Sequence, residues 1–570
     1  MRPRVTTLLA SAALAWLPTL LGAQGAPAQT ARTGPADLVV LGRVWTGDPA
    51  RSWAEAVAIK DSLITYVGTR AGVRRMIGVR TRVMDNGANT VTPGFADAHT
   101  HFLSGGFQLA SVDLRDADTP EEFIRRLAAY ARGLPPGEWI TGGDWDHERW
   151  SGSPLPRREW IDSVTPGNPV FVSRLDGHMG IANSLALRQA GVDRATPTPS
   201  GGEIVHDPAT GDVTGVLKDN AMNRLYAAIP APGSEQADSA LQRAMRHAAS
   251  LGVTTIHTMT DWDELAAFRR AYARGALITR ARVFVPIGGW RRLADTVRVR
   301  GRGDAWLGWG GLKGFMDGSL GSTTAAFYEP YRDAPNTRGL LVTDSAARRR
   351  EILSADSAGL QLAVHAIGDR ANAMLLGFFE LAAQRNGARD RRSRIEHAQH
   401  LRQEDIPRFG RLGVIPSMQP YHAIDDGRWA GNRLDTARLR GTYAFRTLLD
   451  TRAGLAFGSD WTVALLDPML GVYAAVTRRT LDDRHPGGWF PEQRITVEEA
   501  LRGYTTAVAF AGFDEHRLGA LRPGMLADVV LLDRDLFRIP PEQLGQSRVR
   551  ATVVNGRVVY ERATERNATR

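Results

Sequence analysis

Cysteine is absent from all 570 residues. That removes disulfides, thiolate nucleophiles and thiolate-bound zinc, so any metal has to be held by His, Asp, Glu or a modified Lys. Lysine is almost absent as well: among 71 basic residues only Lys60, Lys218 and Lys313 are lysines. Arginine keeps its proton in proteins, whereas a lysine can lose it when buried, so each lysine kept against this background is a candidate for chemistry that arginine cannot do. Past the N-terminus no apolar run is long enough to cross a bilayer, and no stable membrane insertion is expected. The net charge of +10 is scattered, without a dense basic block interleaved with aromatics, so no nucleic-acid partner is expected either. Hydrophobic residues at 43% and charged residues at 23% describe an ordinary folded chain.

Residues 1–28 read as a signal peptide. Arg2 and Arg4 form a basic start, Val5 to Leu21 an apolar core, and Ala26-Pro27-Ala28 a small-residue cleavage pattern. The expectation is an exported protein, periplasmic or secreted.

The rest divides into β-rich ends around a long alternating middle. Ala36–Arg43, Ala56–Ile59, Leu63–Val67 and Val83–Asp85 are short apolar runs near the start, and Asp528–Leu532 and Val549–Tyr560 match them at the end, the latter with an Asn555-Gly556 hairpin turn. Residues 36–90 and 510–565 are therefore expected to build one small β-sandwich from both chain ends. Residues 91–509 alternate strands with helices, as an α/β chain of the distorted TIM (β/α)₈ barrel type should. The candidate strands Val91–Ala96, Val253–Thr258, Ala281–Ile287, Gly311–Met316, Gln361–Val364, Arg394–Glu396, Val414–Met418 and Leu455–Gly458 supply eight places. A ninth, Val170–Arg174, falls in a stretch too long for one βα unit, so residues 105–251 are assigned to an insertion after the first barrel strand.

Chemistry in such barrels sits at the C-terminal ends of strands, and polar residues collect there. The first strand runs into His99-Thr-His101, whose two-residue spacing puts both imidazoles on one face. Lys313 lies on the fourth strand, where burial beside a metal would depress its pKa and allow carbon dioxide to convert the amine to a bridging carbamate. His365 and His397 end the fifth and sixth strands, and Asp460 ends the eighth. Six ligand-type side chains at one rim suit a divalent metal, zinc above all, as one or two ions. Asp460 is also the candidate catalytic base for the water such an ion activates.

These residues, with Leu175-Asp-Gly-His178, Ser200-Gly-Gly-Glu203, Asp317-Gly-Ser, His365-Ala-Ile-Gly-Asp-Arg370, Ser417-Met-Gln-Pro420 and the closing Gly524-Met-Leu-Ala-Asp528, resemble the amidohydrolase superfamily, and within it amidohydrolase family 3. The resemblance covers nearly the whole mature chain. It implies His99, His101, His365 and His397 as metal ligands, Lys313 as a carbamate bridge, Asp460 as general base, and hydrolysis of a C–N bond, amide or N-formyl, in a small-molecule substrate. Esters, lactones, cyclic amides and deamination are the competing chemistries, and a binding protein on the same fold is the reading without catalysis. His178, Asp176, Trp145, His257 and Asp317 are candidate substrate contacts. Trp461 joins them because it follows Gly-Ser-Asp460 where the family leads one to expect a smaller residue and proline. A second copy of the chain, in a homodimer, is the macromolecular partner considered.

Overall fold

The computed structural model describes residues 34–563. The expected signal peptide therefore lies outside the described residues. The N-terminal strands are β1 (Leu38–Trp45), β2 (Trp53–Lys60), β3 (Leu63–Gly68) and β4 (Arg82–Pro93), and β5 (Phe95–Thr100) opens the barrel. The insertion carries β6 (Val112–Asp113), β7 (Gly142–Trp145), β8 (Phe171–Arg174), β9 (Met179–Ala182), β10 (Gly202–His206) and β11 (Val213–Asp219). The barrel continues with β12 (Val253–Met259), β13 (Arg280–Pro286), β14 (Leu307–Phe315), β15 (Gln361–Ala366), β16 (Arg394–His397), β17 (Ile415–Met418) and β18 (Ala456–Phe457). The chain returns to the first sheet with β19 (Val529–Leu532), β20 (Val549–Val554) and β21 (Arg557–Glu561).

Eight strands, in the order β18-β17-β16-β15-β14-β13-β12-β5, form one all-parallel sheet, the (β/α)₈ barrel read from the sequence. β12 and β15 are buried at every residue, as parallel strands covered on both faces must be. The surrounding helices start on side-chain caps written into the sequence. Asp261 accepts from the backbone N–H groups of Asp263 and Glu264 at the head of Trp262–Ala273, and Thr496 accepts from that of Glu499 at the head of Val497–Gly503. Among the described residues, no helix is long and apolar enough to cross a membrane.

The ring closes less regularly than eight equal strands would. β18 is two residues long, and beyond it the backbone N–H of Asp460 donates to the carbonyl of His99 at 2.7 Å and that of His101 to the carbonyl of Trp461 at 2.5 Å. Gly458 makes this approach possible: a Cβ there would stand 2.6 Å from both Asp97 Oδ1 and the His99 nitrogen.

Both chain ends meet in one seven-stranded sheet, ordered β21-β20-β19-β4-β1-β2-β3. Asn555 and Gly556, with φ of 53° and 78°, form the expected tight turn between β20 and β21. The insertion has a six-stranded sheet of its own, ordered β10-β11-β9-β8-β7-β6, and Val170–Arg174 belongs to it through β8. One expected strand is corrected. Val91–Ala96 is two strands, because Val91, Thr92 and Pro93 pair with β19 while Phe95 onward pairs with β12. Gly94 marks the break, where a Cβ would stand 2.2 Å from Thr254 Oγ1.

The barrel is fastened to this terminal sheet by a buried ion pair. Arg280, 2% exposed, donates to Asp528 from Nε at 2.7 Å and from Nη2 at 3.0 Å, and to Asn555 Oδ1 at 3.1 Å. Removing one partner strands a buried charge. Asp528→Ala is expected to lower unfolding free energy by about 3–5 kcal/mol. Chemical denaturation checks this, and a loss under about 1 kcal/mol, the level of a surface pair, would show the pair to be dispensable.

Candidate metal centre and its relatives

The strand ends converge at one rim. His99 is buried on β5, and its Nε2 lies 3.2 Å from Lys313 Nζ and 3.4 Å from Asp460 Oδ1. His101 reaches the same carboxylate oxygen at 3.4 Å. It does so from a different backbone than expected: it is not on β5 but caps the next helix, Phe102–Gln108, with φ −105° and ψ 68°. The two imidazoles therefore converge through a strand end and a helix start, not through strand alternation. The His365 and His397 rings lie 4.5 Å apart, centroid to centroid, and His397 stands 4.9 Å from His99. His99, His397 and Asp460 form the tight cluster, with one ligand atom from each within 4.8 Å of the others.

Each imidazole is oriented by a neighbour behind it. His99 donates from Nδ1 to Glu396 Oε2 in a very short hydrogen bond, leaving Nε2 for the rim. His397 donates from Nδ1 to Gln419 Oε1 at 2.8 Å. His365 is turned the other way, with Nε2 on the Gly318 carbonyl at 3.0 Å, so that Nδ1 is the open nitrogen. Such supporting partners fix both tautomer and ring direction in metal sites. His397 and Asp460 also have φ of 76° and 58°, a left-handed backbone that costs on the order of 1–3 kcal/mol and concentrates at functional sites.

The electrostatics favour metal binding. Burial, with Lys313 beside it, pushes His99 down to about 4, so the imidazole is neutral with a lone pair available. Burial lowers Lys313 to about 8, within reach of the free amine. Burial opposes ionisation of Asp460, but His99, His101 and His397 outweigh it and hold the carboxyl well below its usual range. Its Oδ1 is nonetheless buried without a hydrogen-bond partner. An ionised, buried oxygen without a hydrogen bond, beside the neutral imidazoles of His99, His365 and His397, fits a bound cation, and the oxygen and nitrogen donor set suits a divalent ion.

Beneath the rim lies a support that sequence reasoning missed. Arg394, with no exposure, makes a paired contact with Glu396, at 2.7 Å from Nε and 2.9 Å from Nη2. It also donates to Ser417 Oγ at 2.9 Å and to His257 Nδ1 at 2.8 Å. The signal was period two: Arg394 and Glu396 share the inward face of β16. Asp97, also unassigned, accepts from the backbone N–H groups of His99 and Ser459, both at 3.0 Å, and pins the two halves of the closure together.

Above the rim is a cavity of about 50 Å³. His365, His397 and Asp460 form its floor, and Asp146, Asp176 and His178 reach it from the insertion. His178 stands 4.9 Å from His365 and donates from Nδ1 to Asp219 at 2.6 Å. Asp176 takes hydrogen bonds from Ser319 Oγ at 2.5 Å and Ser322 Oγ at 3.0 Å, and Arg174 pairs with it at 2.7 Å.

Four expected substrate contacts lie elsewhere. Trp145 is fully buried in the insertion, stacked on Trp150 with Nε1 on the Val172 carbonyl, while its neighbour Asp146, pointing oppositely, reaches the cavity. His257 sits below the rim under Arg394. Asp317 spends its carboxylate on the backbone N–H groups of Ala326, Ile367 and Gly368, at 2.8, 3.0 and 2.8 Å, which shapes the loop after β14. Trp461 is wedged between Phe102 and His247 behind the rim, 2% exposed. Conversely, Gln399, His422, Asp425, Asp426 and Trp429 line the cavity without having been anticipated. The signal of Gln399 lay two residues past His397, and that of the others just after the Ser417-Met-Gln-Pro stretch.

A (β/α)₈ barrel with His, Lys and Asp at its C-terminal rim belongs to the metal-dependent hydrolases in architecture. The family profile confirms the class: the amidohydrolase family matches residues 82–560, and the chain belongs to that family. Protein LONG AFTER FAR-RED 3 of Arabidopsis thaliana is 39% identical over 92% of each chain. YtcJ of Bacillus subtilis (strain 168), named as an amidohydrolase, is 31% identical over 89% of this chain and 96% of its own. The N-substituted formamide deformylase of Arthrobacter pascens is 29% identical over 92% of this chain and 98% of its own. Among solved structures, an uncharacterised metal-dependent hydrolase from Pyrococcus horikoshii OT3 superposes with a TM-score of 0.70 at 28% identity, covering 88% of this chain and 99% of that one.

The supporting contacts lead to a direct test. Gln419→Ala is expected to weaken divalent-metal affinity about 10–100-fold by freeing the His397 ring. Competition against a chelator of known affinity measures it, and unchanged affinity would remove Gln419 from the support of the centre.

Proposed function

We propose that the protein is an exported, metal-dependent amidohydrolase that cleaves the C–N bond of a small N-acyl compound, with a short acyl group such as formyl or acetyl. The observation that carries this reading is the buried, ionised Asp460 carboxylate in the floor of a cavity roofed by the insertion, its Oδ1 within 3.4 Å of the Nε2 atoms of His99 and His101 but without a hydrogen bond of its own. The similarity to a protein named as an N-substituted formamide deformylase supports the N-acyl class. Export rests on the signal peptide read at residues 1–28.

His99, His101, His365, His397 and Asp460 would hold the metal, with Lys313 Nζ beside His99 Nε2 at 3.2 Å. A divalent ion bound there supplies acidity to a water molecule at neutral pH and a positive charge near the acyl oxygen. Asp460 orients that water through Oδ1 and takes up its proton. It then returns the proton to the leaving nitrogen, so that an amine departs and a carboxylic acid remains. Lys313 joins the site as a carbamate: Nζ attacks carbon dioxide, a proton leaves the nitrogen, and the new carboxylate carries the negative charge. The insertion keeps bulk water out, held to the loop after β14 by Asp176 on Ser319 and Ser322.

Elemental analysis of protein purified without chelator should find near-stoichiometric zinc or another divalent metal. Turnover of N-alkyl and N-aryl formamides and acetamides should disappear on chelation and return on reconstitution. Asp460→Asn is expected to lower kcat by about 10²–10⁴-fold. Metal with turnover of esters or lactones alone would overturn the amide assignment, and protein that takes up no metal would overturn the whole reading. Isotope-labelled bicarbonate should give a carbamate resonance in the wild type that is missing in Lys313→Ala. No such signal in metal-loaded protein would leave Lys313 as a plain amine.

A further inference from the structure

We propose that His422 is the group that recognises the acyl oxygen of the substrate, donating a hydrogen bond from Nε2. The proposal rests on the amidohydrolase reading and adds to it the residue that meets the carbonyl.

His422 lies in the first turn of the helix Pro420–Asp426, directly after β17, and is 7% exposed. It lines the cavity, and its ring runs nearly parallel to that of His397, with 13° between the planes and 6.4 Å between centroids. It therefore faces the cavity from beside the metal cluster.

The polar groups of this wall divide into spent and unspent. Asp146 is paired with Arg174 at 2.8 Å and with Arg428 at 3.1 Å. Asp176 is taken up by Arg174, Ser319 and Ser322. Asp425 pairs with Arg428, and Asp426 accepts from the Tyr443 hydroxyl at 2.5 Å. Among the described residues, only two cavity-lining side chains carry a buried atom with no hydrogen-bond partner: Asp460 through Oδ1 and His422 through Nε2. Leaving a buried polar atom unpaired is costly, and at the wall of a cavity a ligand can complete it.

The sign of the missing partner follows from the other ring nitrogen. Gln399 Nε2, an amide donor, lies 3.4 Å from His422 Nδ1. Nδ1 is thereby the acceptor, and the ring proton sits on Nε2. The buried, unpartnered atoms of the cavity wall are thus one acceptor, Asp460 Oδ1, and one donor, His422 Nε2–H, beside the open ring nitrogens of His365 (Nδ1) and His178 (Nε2). Hydrolysis of an acyl compound calls for both: an acceptor for the attacking water and a donor for the oxygen on which negative charge grows. A cavity of about 50 Å³ has room for a few atoms, enough for a formyl or acetyl group between the two.

The test uses side chains that place an amide nitrogen differently. The amide nitrogen of glutamine falls near the position of imidazole Nε2, and that of asparagine near Nδ1. On an N-substituted formamide, His422→Ala and His422→Asn are expected to lose about 10²–10³-fold in kcat with little change in KM, the signature of a contact made in the transition state. His422→Gln is expected to recover most of that loss. Metal content and melting temperature should match the wild type in all three. Full activity in His422→Ala, or His422→Gln as inactive as His422→Ala at equal metal content, would overturn the proposal. Should the wild type cleave no amide, the amidohydrolase reading fails by itself and His422 is judged by binding. Calorimetric titration of formate into metal-loaded protein should then show affinity in the wild type and His422→Gln and loss in His422→Ala. Equal affinity in all three, or none in the wild type, would remove the acyl-oxygen role.

Discussion

A guanidinium with no exposed surface sits in the interior of the barrel, and all of its solvation has to come from protein. Arg394 finds it on every side: the carboxylate of Glu396 on its own strand, the Ala98 carbonyl on β5, the His257 ring on β12 and the Ser417 hydroxyl on β17, with the face of Phe284 on β13 at 4.9 Å. Withdrawing a charge from water is expensive unless its partners are held in place, so these strands are locked in height relative to one another. Glu396 passes that rigidity upward through His99 Nδ1. The open nitrogen of His99 is thus set by an ion pair one layer below the chemistry, and the rest of the rim is arranged around it.

The roof is joined to the rim by charge more than by apolar packing. Asp176 meets Ser319 and Ser322, Asp146 meets Arg428, and Glu148 meets Arg433 at 2.6 Å. Each of these pairs links the insertion to a loop or short helix that follows a barrel strand. Because the carboxylates on the insertion are consumed in holding it down, the cavity keeps few free polar groups, and those few define what can bind.

Much of this was legible in the sequence. The strands announced themselves as short apolar runs between turn residues, and the ligand-type side chains stood at their ends in the order a barrel requires. What stayed hidden was of two kinds. One was backbone geometry that departs from strand alternation. His101 reaches Asp460 from a helix cap, and His397 and Asp460 point as they do because φ turns positive, which no spacing rule reveals. The other was the division of labour among polar residues of like type. Asp317 and Asp176 both follow the apolar-then-acidic pattern of a site loop. One binds three backbone N–H groups in the interior and the other anchors the roof at the cavity wall, and only the fold tells them apart. Trp145 was the candidate of its stretch, but it ends β7 pointing into the insertion's core, and it is the next residue, Asp146, that faces the cavity.

The seven-stranded sheet carries a consequence for how the molecule is made. β4 pairs with β1 on one edge and with β19 on the other, and β19 begins at Val529, more than 400 residues after β4 ends at Pro93. A ribosome adding ~5–20 residues per second needs roughly twenty to ninety seconds to cover that distance. Throughout that interval the first four strands present an unpaired edge, the kind of surface that recruits other chains. Strands β19 to β21 are the lid on that edge, so the nascent chain stays vulnerable to aggregation until they have been made.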